Sequence, residues 1–297
     1  MSLRGVIPPL VTPFRPDGAL DLAAFEANVE SLAARDLAGF LVLGSNGEAA
    51  SLDEDEKRTL VAAARRRAPG RFLLVGTGME STRATVALTR RVAELGADAV
   101  LVLTPHYYKA RMTADALRRH FEAVADASPV PVFLYSVPAF TGLPWPPGLA
   151  AVLAVHPRIA GMKESSGDVG LLERVISSVP ARFEVACGNA LVFYPALCVG
   201  AAGGVLAVAN CVPDAAAALY RAFVAGDHAR ARRLQEALLP LAAAVAANHG
   251  VAGLKLAMDL AGLRGGEVRA PLLPAPPSAL DELRPLLEQA EAGLRQL

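Results

Sequence analysis

The sequence predicts an α/β protein of the (β/α)8 TIM-barrel type with a C-terminal helical extension. Eight short apolar segments alternate with longer amphipathic segments over residues 5–208. Most of the apolar segments are rich in Val, Leu, Ile or Phe without alternating polar residues, as expected of parallel strands buried on both faces. The alternative fold is a doubly wound open sheet. It is disfavoured because no dinucleotide-binding fingerprint follows the first strand, and Gly76-Thr77-Gly78 is only a fragment of one.

The order of the predicted elements supports the barrel. The strands are predicted at residues 5–12, 39–43, 72–76, 99–103, 132–135, 159–163, 183–187 and 204–208. The clearest helices between them are predicted at residues 22–34, 54–67, 81–95 and 113–127. Asp21, Ser81 and Thr113 are candidates for N-cap residues, and Ser51 to Glu54 match a capping-box pattern.

After the eighth strand the pattern becomes purely helical. Helices are predicted at residues 229–247, 253–263 and 280–294, separated by Gly250 and by the proline-rich residues 271–277. We therefore expect residues 1–225 to form the barrel that carries the active site. Residues 226–297 are expected to form a helical extension packed on that barrel.

The composition limits the classes of function. Hydrophobic residues make up 53% of the 297 residues and the formal net charge is +0, so we expect a folded protein with no nucleic-acid or membrane partner. The first five residues show no signal-peptide pattern. The cysteines, Cys187, Cys198 and Cys211, are odd in number and lack paired spacing, which predicts reduced thiols and a cytoplasmic protein.

Lysine is rare in this chain, which has only four: Lys57, Lys109, Lys163 and Lys255. Lys163 ends the apolar run of the sixth strand, where desolvation favours a neutral amine. A neutral amine can attack a ketone and form an imine. Two structural alternatives are a lysine that reaches out to solvent and one that pairs with Glu164. Lys255 is the reserve candidate for the nucleophile.

Tyrosines cluster at the ends of two neighbouring strands. Tyr135 ends the fifth strand, and Tyr107 and Tyr108 follow the fourth. A tyrosine hydroxyl can relay protons between a nucleophile, a substrate and water. Ordinary packing with a locally bonded hydroxyl is the alternative for each tyrosine taken alone. The coincidence at adjacent strand ends favours a relay.

Small residues after the second and seventh strands suggest a place for an anionic ligand. Gly44-Ser45-Asn46-Gly47-Glu48 follows the second strand, and its backbone N–H groups could hold a carboxylate while Ser45 joins a hydroxyl relay. The alternative is an ordinary strand-to-helix turn. Gly188-Asn189 ends the seventh strand and permits close approach of a ligand. The five histidines share no metal-ligand spacing, so no metal site is predicted.

Taken together, these motifs resemble the dihydrodipicolinate synthase and N-acetylneuraminate lyase superfamily, whose members are class I aldolases on (β/α)8 barrels. The resemblance covers nearly the whole chain, from residues 8–14 to the C-terminal helices. It is carried by the GxxGE turn at residues 44–48, by Tyr107, by YxVP at residues 135–138 and by GxKxS at residues 161–165.

The resemblance implies roles for specific residues and an oligomeric state. It makes Lys163 the Schiff-base lysine and Tyr135 the proton shuttle, and it completes the site with these residues: Ser45 and Tyr107 in the hydroxyl relay, Ser45 and Asn46 at the substrate carboxylate, and Ser165 and Gly188 lining the pocket. The counterpart of Tyr107 in relatives comes from a neighbouring subunit, which implies a homotetramer built as a dimer of dimers. Because Tyr108 is adjacent, either tyrosine could fill this position.

Within the superfamily the sequence looks most similar to 4-hydroxy-2-oxoglutarate aldolase, which cleaves its substrate to pyruvate and glyoxylate without a metal or organic cofactor. Synthases of the dihydrodipicolinate type usually carry an arginine, which grips the aldehyde substrate's carboxylate, where this chain has Phe140. The departure leaves open how a distal carboxylate is held. Alternatives are another pyruvate-dependent aldolase, a dehydratase, a synthase, a barrel that binds a phosphorylated substrate, or a non-catalytic 2-oxo acid sensor.

Overall fold

The computed structural model describes residues 2–295, in which eight parallel strands surround one axis. The strands are β1 Gly5–Ile7, β2 Gly39–Val42, β3 Phe72–Gly76, β4 Ala99–Leu103, β5 Val132–Ser136, β6 Ile159–Glu164, β7 Glu184–Cys187 and β8 Gly203–Val205. Hydrogen-bonded neighbours follow the order β1-β8-β7-β6-β5-β4-β3-β2. The (β/α)8 barrel predicted from the sequence is therefore confirmed.

The barrel closes between β1 and β2. The N–H of Ala38 donates to the carbonyl of Val6 at 2.9 Å, and the N–H of Leu10 donates to the carbonyl of Leu41 at 2.8 Å. β1 is shorter than predicted because Pro8 and Pro9 interrupt it, and proline lacks the N–H that a strand ladder needs.

Twelve α-helices complete the part of the chain that the structure describes. They are α1 Leu22–Ala33, α2 Glu54–Arg67, α3 Thr82–Glu94, α4 Ala114–Ala127, α5 Pro138–Thr141, α6 Leu149–Leu153, α7 Val169–Ser178, α8 Phe193–Cys198, α9 Pro213–Val224, α10 His228–Ala243, α11 Gly250–Leu260 and α12 Ser278–Arg295. α11 begins at Gly250 itself, three residues before the predicted start.

The predicted N-caps are confirmed, because the side chains of Asp21, Ser81 and Thr113 each accept a backbone N–H in the first turn. The capping box lies two residues later than predicted. Asp53 is the N-cap of α2, and its partner is Glu56 instead of Glu54. The capping box begins at Asp53 because Ser51 and Leu52 still belong to the turn before the helix.

Two apolar clusters hold the strands in place. The smaller one consists of side chains from one face of the strands, including Leu41, Leu101, Phe133 and Tyr135. The larger one lies between the strands and the helices. The rigid packing of both faces fixes the strand ends, which position the side chains of the site.

The last helices pack on one another and on the preceding helix of the barrel. α10 contacts α9, and α12 contacts α10 and α11. A π-helical turn at Ala244–Asn248 joins α10 to α11. No helix within residues 2–295 is long and apolar enough to cross a membrane.

Candidate active site

Lys163 and Tyr135 face each other across two adjacent strands. They are register partners on β6 and β5, so their side chains leave the sheet on the same face. The Nζ atom of Lys163 donates to the Tyr135 hydroxyl at 3.2 Å and lies 4.3 Å from the centroid of the tyrosine ring. Lys163 is only 4% exposed and Tyr135 5% exposed. The amine is thus buried with the phenol as its hydrogen-bond acceptor.

Glu164 points to the opposite face of β6, because successive side chains alternate along a strand. Its carboxylate accepts the N–H and the hydroxyl of Ser166, both at 2.9 Å. Burial raises the pKa of this carboxyl group. Neither structural alternative for Lys163 therefore holds, since the amine does not reach solvent and Glu164 is engaged elsewhere. Burial also raises the pKa of the neighbouring Cys187 thiol to about 12, so this thiol stays protonated.

Ser45 extends the row of polar atoms. Its Oγ lies 3.5 Å from the Tyr135 hydroxyl, at the far limit of a hydrogen bond. The row in space is therefore Lys163, Tyr135 and Ser45. The sequence predicted these three residues as candidates, and the fold brings them together.

The turn that carries Ser45 and Asn46 has an unusual backbone. Residues Ser45–Gly47 form a short 3-10 helix, and the residues on either side of the 44–47 segment, Leu43 and Glu48, have φ of 59° and 52°. Left-handed backbone at a non-glycine residue is uncommon and requires support from the surroundings. Thr12 supplies part of it, because its Oγ1 donates to the Gly47 carbonyl at 2.7 Å.

Gly188 and Ser165 lie on the other side of the amine. A Cβ atom at Gly188 would stand 1.8 Å from the Ser165 Oγ and 2.8 Å from the Lys163 Cε. Glycine is therefore the residue that keeps space open beside the lysine. The Ser165 Oγ is buried and has no hydrogen-bond partner among residues 2–295. It is free to bond a ligand placed in this space.

Tyr107 is not in contact with the other predicted residues. It is 75% exposed, Tyr108 is 69% exposed, and the two rings meet edge-on with centroids 5.0 Å apart. No hydrogen bond within the described chain joins either hydroxyl to Ser45 or Tyr135. Glu80 was not among the predicted residues, yet its carboxylate holds this loop by accepting the N–H groups of Tyr107 at 2.8 Å and His106 at 3.0 Å.

Lys255, the reserve candidate for the nucleophile, does not lie beside Tyr135, so that prediction is wrong. Its side chain is 2% exposed, but its Nζ lies 2.5 Å from Glu48 Oε1 and donates to the Glu267 carbonyl at 2.5 Å. An amine paired in this way is held as a counter-ion and not as a free nucleophile. Among residues 2–295, no group of three or more His, Cys, Asp or Glu side chains is placed to hold a metal ion.

The arrangement matches imine chemistry. A buried amine is the group that forms an imine with a ketone, and a phenol at hydrogen-bond distance can move the protons that such steps require. The open space at Gly188 and the unpartnered Ser165 hydroxyl provide room and a polar contact for a small ligand.

Comparisons with known proteins agree with the fold. A model of the "Dihydrodipicolinate synthetase family" matches residues 2–290. The 4-hydroxy-tetrahydrodipicolinate synthase of an Exiguobacterium species is 38% identical over 286 residues, covering 96% of this chain and 97% of the relative. The enzyme of the same name from Methanoculleus marisnigri is 37% identical over 288 residues, covering 96% and 98%. Both carry the name of the synthase and not that of the aldolase that the sequence was expected to resemble most.

Solved structures match along nearly the whole chain. The 4-hydroxy-tetrahydrodipicolinate synthase from Methylacidiphilum fumariolicum SolV superimposes with a TM-score of 0.93 at 28% identity, covering 99% of this chain and 97% of that one. YagE from E. coli K12, a prophage protein of the dihydrodipicolinic acid synthase family crystallised with pyruvate, gives 0.91 at 30% identity, covering 97% and 98%.

Proposed function

The chain belongs to the dihydrodipicolinate synthetase family, and from that premise we propose that it cleaves 4-hydroxy-2-oxoglutarate to pyruvate and glyoxylate through an imine on Lys163. The family consists of enzymes, class I pyruvate-dependent lyases and synthases that act on small 2-oxo acids, and this chain is one of them. The identity of its second substrate or product and the roles of its site residues are the parts that we propose.

One observation carries the imine chemistry of the proposal: the buried Lys163 amine, the Tyr135 hydroxyl and the Ser45 hydroxyl stand in a row at 3.2 and 3.5 Å. In the proposed reaction the amine attacks C2 of the substrate, and loss of water leaves an iminium. Tyr135 gives its proton to the departing water, and the resulting phenolate, assisted by Ser45, takes the proton of the C4 hydroxyl as the C3–C4 bond breaks and glyoxylate leaves. The electrons of that bond form an enamine on Lys163.

The second half of the cycle restores the enzyme. The enamine gains a proton at C3, which converts the bound fragment to the iminium of pyruvate. Water then adds at C2, pyruvate leaves and the amine is free again. We propose that the backbone around Ser45 and Asn46 binds the C1 carboxylate and that Ser165 and Gly188 line the pocket. The related YagE is crystallised with pyruvate, which supports a 2-oxo acid as the ligand of this chain.

A distal carboxylate needs a cation, and the arginine expected of the synthases is replaced by Phe140, which is 65% exposed. The ammonium of Lys109 lies near the segment that carries Phe140, since a Cβ at Gly142 would stand 2.9 Å from its Nζ. Gly142 follows Phe140 by two residues. We propose that Lys109 pairs with the second carboxylate of the substrate, as a lysine can do through a single point charge.

The second candidate is synthesis of 4-hydroxy-tetrahydrodipicolinate, and the comparisons favour it, because the curated relatives named above carry that activity in their names. Both candidates pass through the same pyruvate imine and enamine at Lys163. They differ in the aldehyde that joins or leaves, so the contacts beyond the imine decide between them.

A substrate panel separates the two candidates. Pyruvate released from 4-hydroxy-2-oxoglutarate would be measured with lactate dehydrogenase, and pyruvate consumed with glyoxylate or with aspartate semialdehyde would be measured in parallel. We expect kcat/KM for the glyoxylate reaction to exceed that for aspartate semialdehyde by about tenfold or more, the order of one lost charged contact. A preference for aspartate semialdehyde would instead establish the synthase.

We further propose a homotetramer in which Tyr107 or Tyr108 completes the hydroxyl relay of a neighbouring subunit. The exposure of both rings and the rigid loop held by Glu80 support this. Sedimentation should give a particle of four 30.9 kDa chains. A fully active monomer would contradict the proposal.

The free thiols of Cys187, Cys198 and Cys211 support the expectation of a cytoplasmic protein.

A further inference from the structure

Glu48 is a buried acid that the proposed reaction does not use. It follows directly on the turn at residues 45–47, is 4% exposed and adopts a left-handed backbone with φ of 52°. Its own N–H donates to the Ser45 carbonyl at 3.1 Å, and its carbonyl accepts the Ser51 N–H at 2.8 Å. A displacement of Glu48 therefore also displaces Ser45, because this backbone hydrogen bond joins the two residues.

The partners of the Glu48 carboxylate come from the C-terminal part of the chain. Lys255 on α11 lies 2.5 Å from Oε1, and the backbone N–H of Arg269 donates to Oε2 at 2.9 Å. Both side chains of the ion pair are nearly inaccessible, at 1% for Glu48 and 2% for Lys255. A buried charge pair of this kind is costly to break, because the remaining charge is left unpaired.

Arg269 braces the other side of the same turn. Its guanidinium donates to the Ser51 carbonyl at 2.8 Å and to the Gly18 carbonyl at 2.6 Å, and it lies 4.1 Å from the centre of the Phe14 ring. It also forms two hydrogen bonds to the carboxylate of Glu56, at 2.7 and 2.6 Å. The segment that follows α11 thus contacts the turn at two places, the Glu48 carboxylate and the Ser51 carbonyl.

We propose that Glu48 is a positioning residue, whose ion pair with Lys255 ties the carboxylate-binding turn to α11 and sets the direction of Ser45 and Asn46. The inference rests on the proposed function only in that this turn binds the carboxylate of a 2-oxo acid. The contact of Ser45 with Tyr135 is sensitive to this ion pair for a geometric reason. The Ser45 Oγ is already 3.5 Å from the Tyr135 hydroxyl, so a small displacement of the turn removes this contact.

Pyruvate alone tests the inference in the full-length protein. The amount of pyruvate bound as imine is read from the mass added to Lys163 on borohydride reduction, as a function of pyruvate concentration. For Glu48→Gln we expect the half-saturating pyruvate concentration to rise by about tenfold, since a displaced turn holds the pyruvate carboxylate less well. An unchanged half-saturating concentration would overturn the inference.

Two further variants distinguish positioning from simple loss of stability. Glu48→Gln combined with Lys255→Met removes the unpaired buried charge, so its melting temperature should recover toward that of the parent while the half-saturating pyruvate concentration stays raised. Recovery of both would show that the pair only supports the fold. Asp98→Asn is the matched control, because it removes a part-buried carboxylate that pairs with Arg65 and accepts the Leu73 N–H near the N-terminal ends of β3 and β4, away from the turn. It should lower the melting temperature and leave pyruvate binding within about twofold of the parent.

The same measurement separates this inference from the proposed substrate. Imine formation with pyruvate is common to the aldolase and the synthase reactions. If 4-hydroxy-2-oxoglutarate is not cleaved but Glu48→Gln still shifts the pyruvate dependence, the substrate proposal fails and the inference about Glu48 stands.

Discussion

The Lys163→Ala variant is expected to lose turnover by on the order of 10⁴-fold or more, because the residue proposed to form the covalent intermediate is missing. Alanine leaves space in the pocket but offers no amine within reach of a carbonyl. Borohydride and pyruvate should add mass to Lys163 in the parent protein and none in the variant. Peptide mapping is simple, since the chain has only four lysines.

Lys57→Met provides the control for this prediction. Lys57 is the first lysine of the chain and lies on α2, where burial lowers the pKa of its ammonium group. It is therefore another desolvated amine, but one that does not contact Tyr135. We expect the control to keep its activity and its label. A label on Lys57, Lys109 or Lys255 in the parent, or one that persists in Lys163→Ala, would refute the assignment.

The second large effect is expected for Tyr135→Phe, with a fall in kcat of about 10²- to 10⁴-fold, the usual range for loss of a positioned acid or base. Phenylalanine fills the same space in the apolar cluster but removes the hydroxyl between Lys163 and Ser45. Imine formation should continue at a reduced rate, so borohydride trapping should still label Lys163 after long incubation. Rapid-quench sampling would separate the slow proton transfers from binding.

Tyr220→Phe is the matched variant for the proton shuttle. The Tyr220 hydroxyl donates to the Ala202 carbonyl at 3.2 Å and belongs to α9, outside the site. Its loss removes one hydrogen bond of similar type and should leave kcat within about twofold of the parent. Equal losses in both variants would mean that the Tyr135 hydroxyl acts only through stability.

The fold was predictable because its signal is local and repeated. Each buried strand and each amphipathic helix is visible as a run of residues, and parallel strands joined by helices lead to few architectures. The limits of the elements were less predictable where two signals overlap. Pro8 and Pro9 end the first strand although the apolar run continues, and Asp53 takes the cap that Ser51 was expected to supply.

The site was predictable as far as it depends on strand ends. Tyr135 and Lys163 end neighbouring strands, and parallel pairing places such ends side by side. The partner of Glu48 was not predictable, because Lys255 is distant in sequence and looks like any other helical lysine. The place of Tyr107 was not predictable for another reason. It lies in an exposed loop that follows β4, and not at the strand end itself.

The link between Glu48 and Lys255 also bears on the order in which the protein is made. A ribosome releases all eight strands before it reaches Lys255 and Arg269, so the nascent chain already contains every strand while the Glu48 carboxylate has neither partner. The residues that support the turn are thus made last, and a chain halted during translation contains Lys163 and Tyr135 while the turn at residues 45–47 still lacks this support.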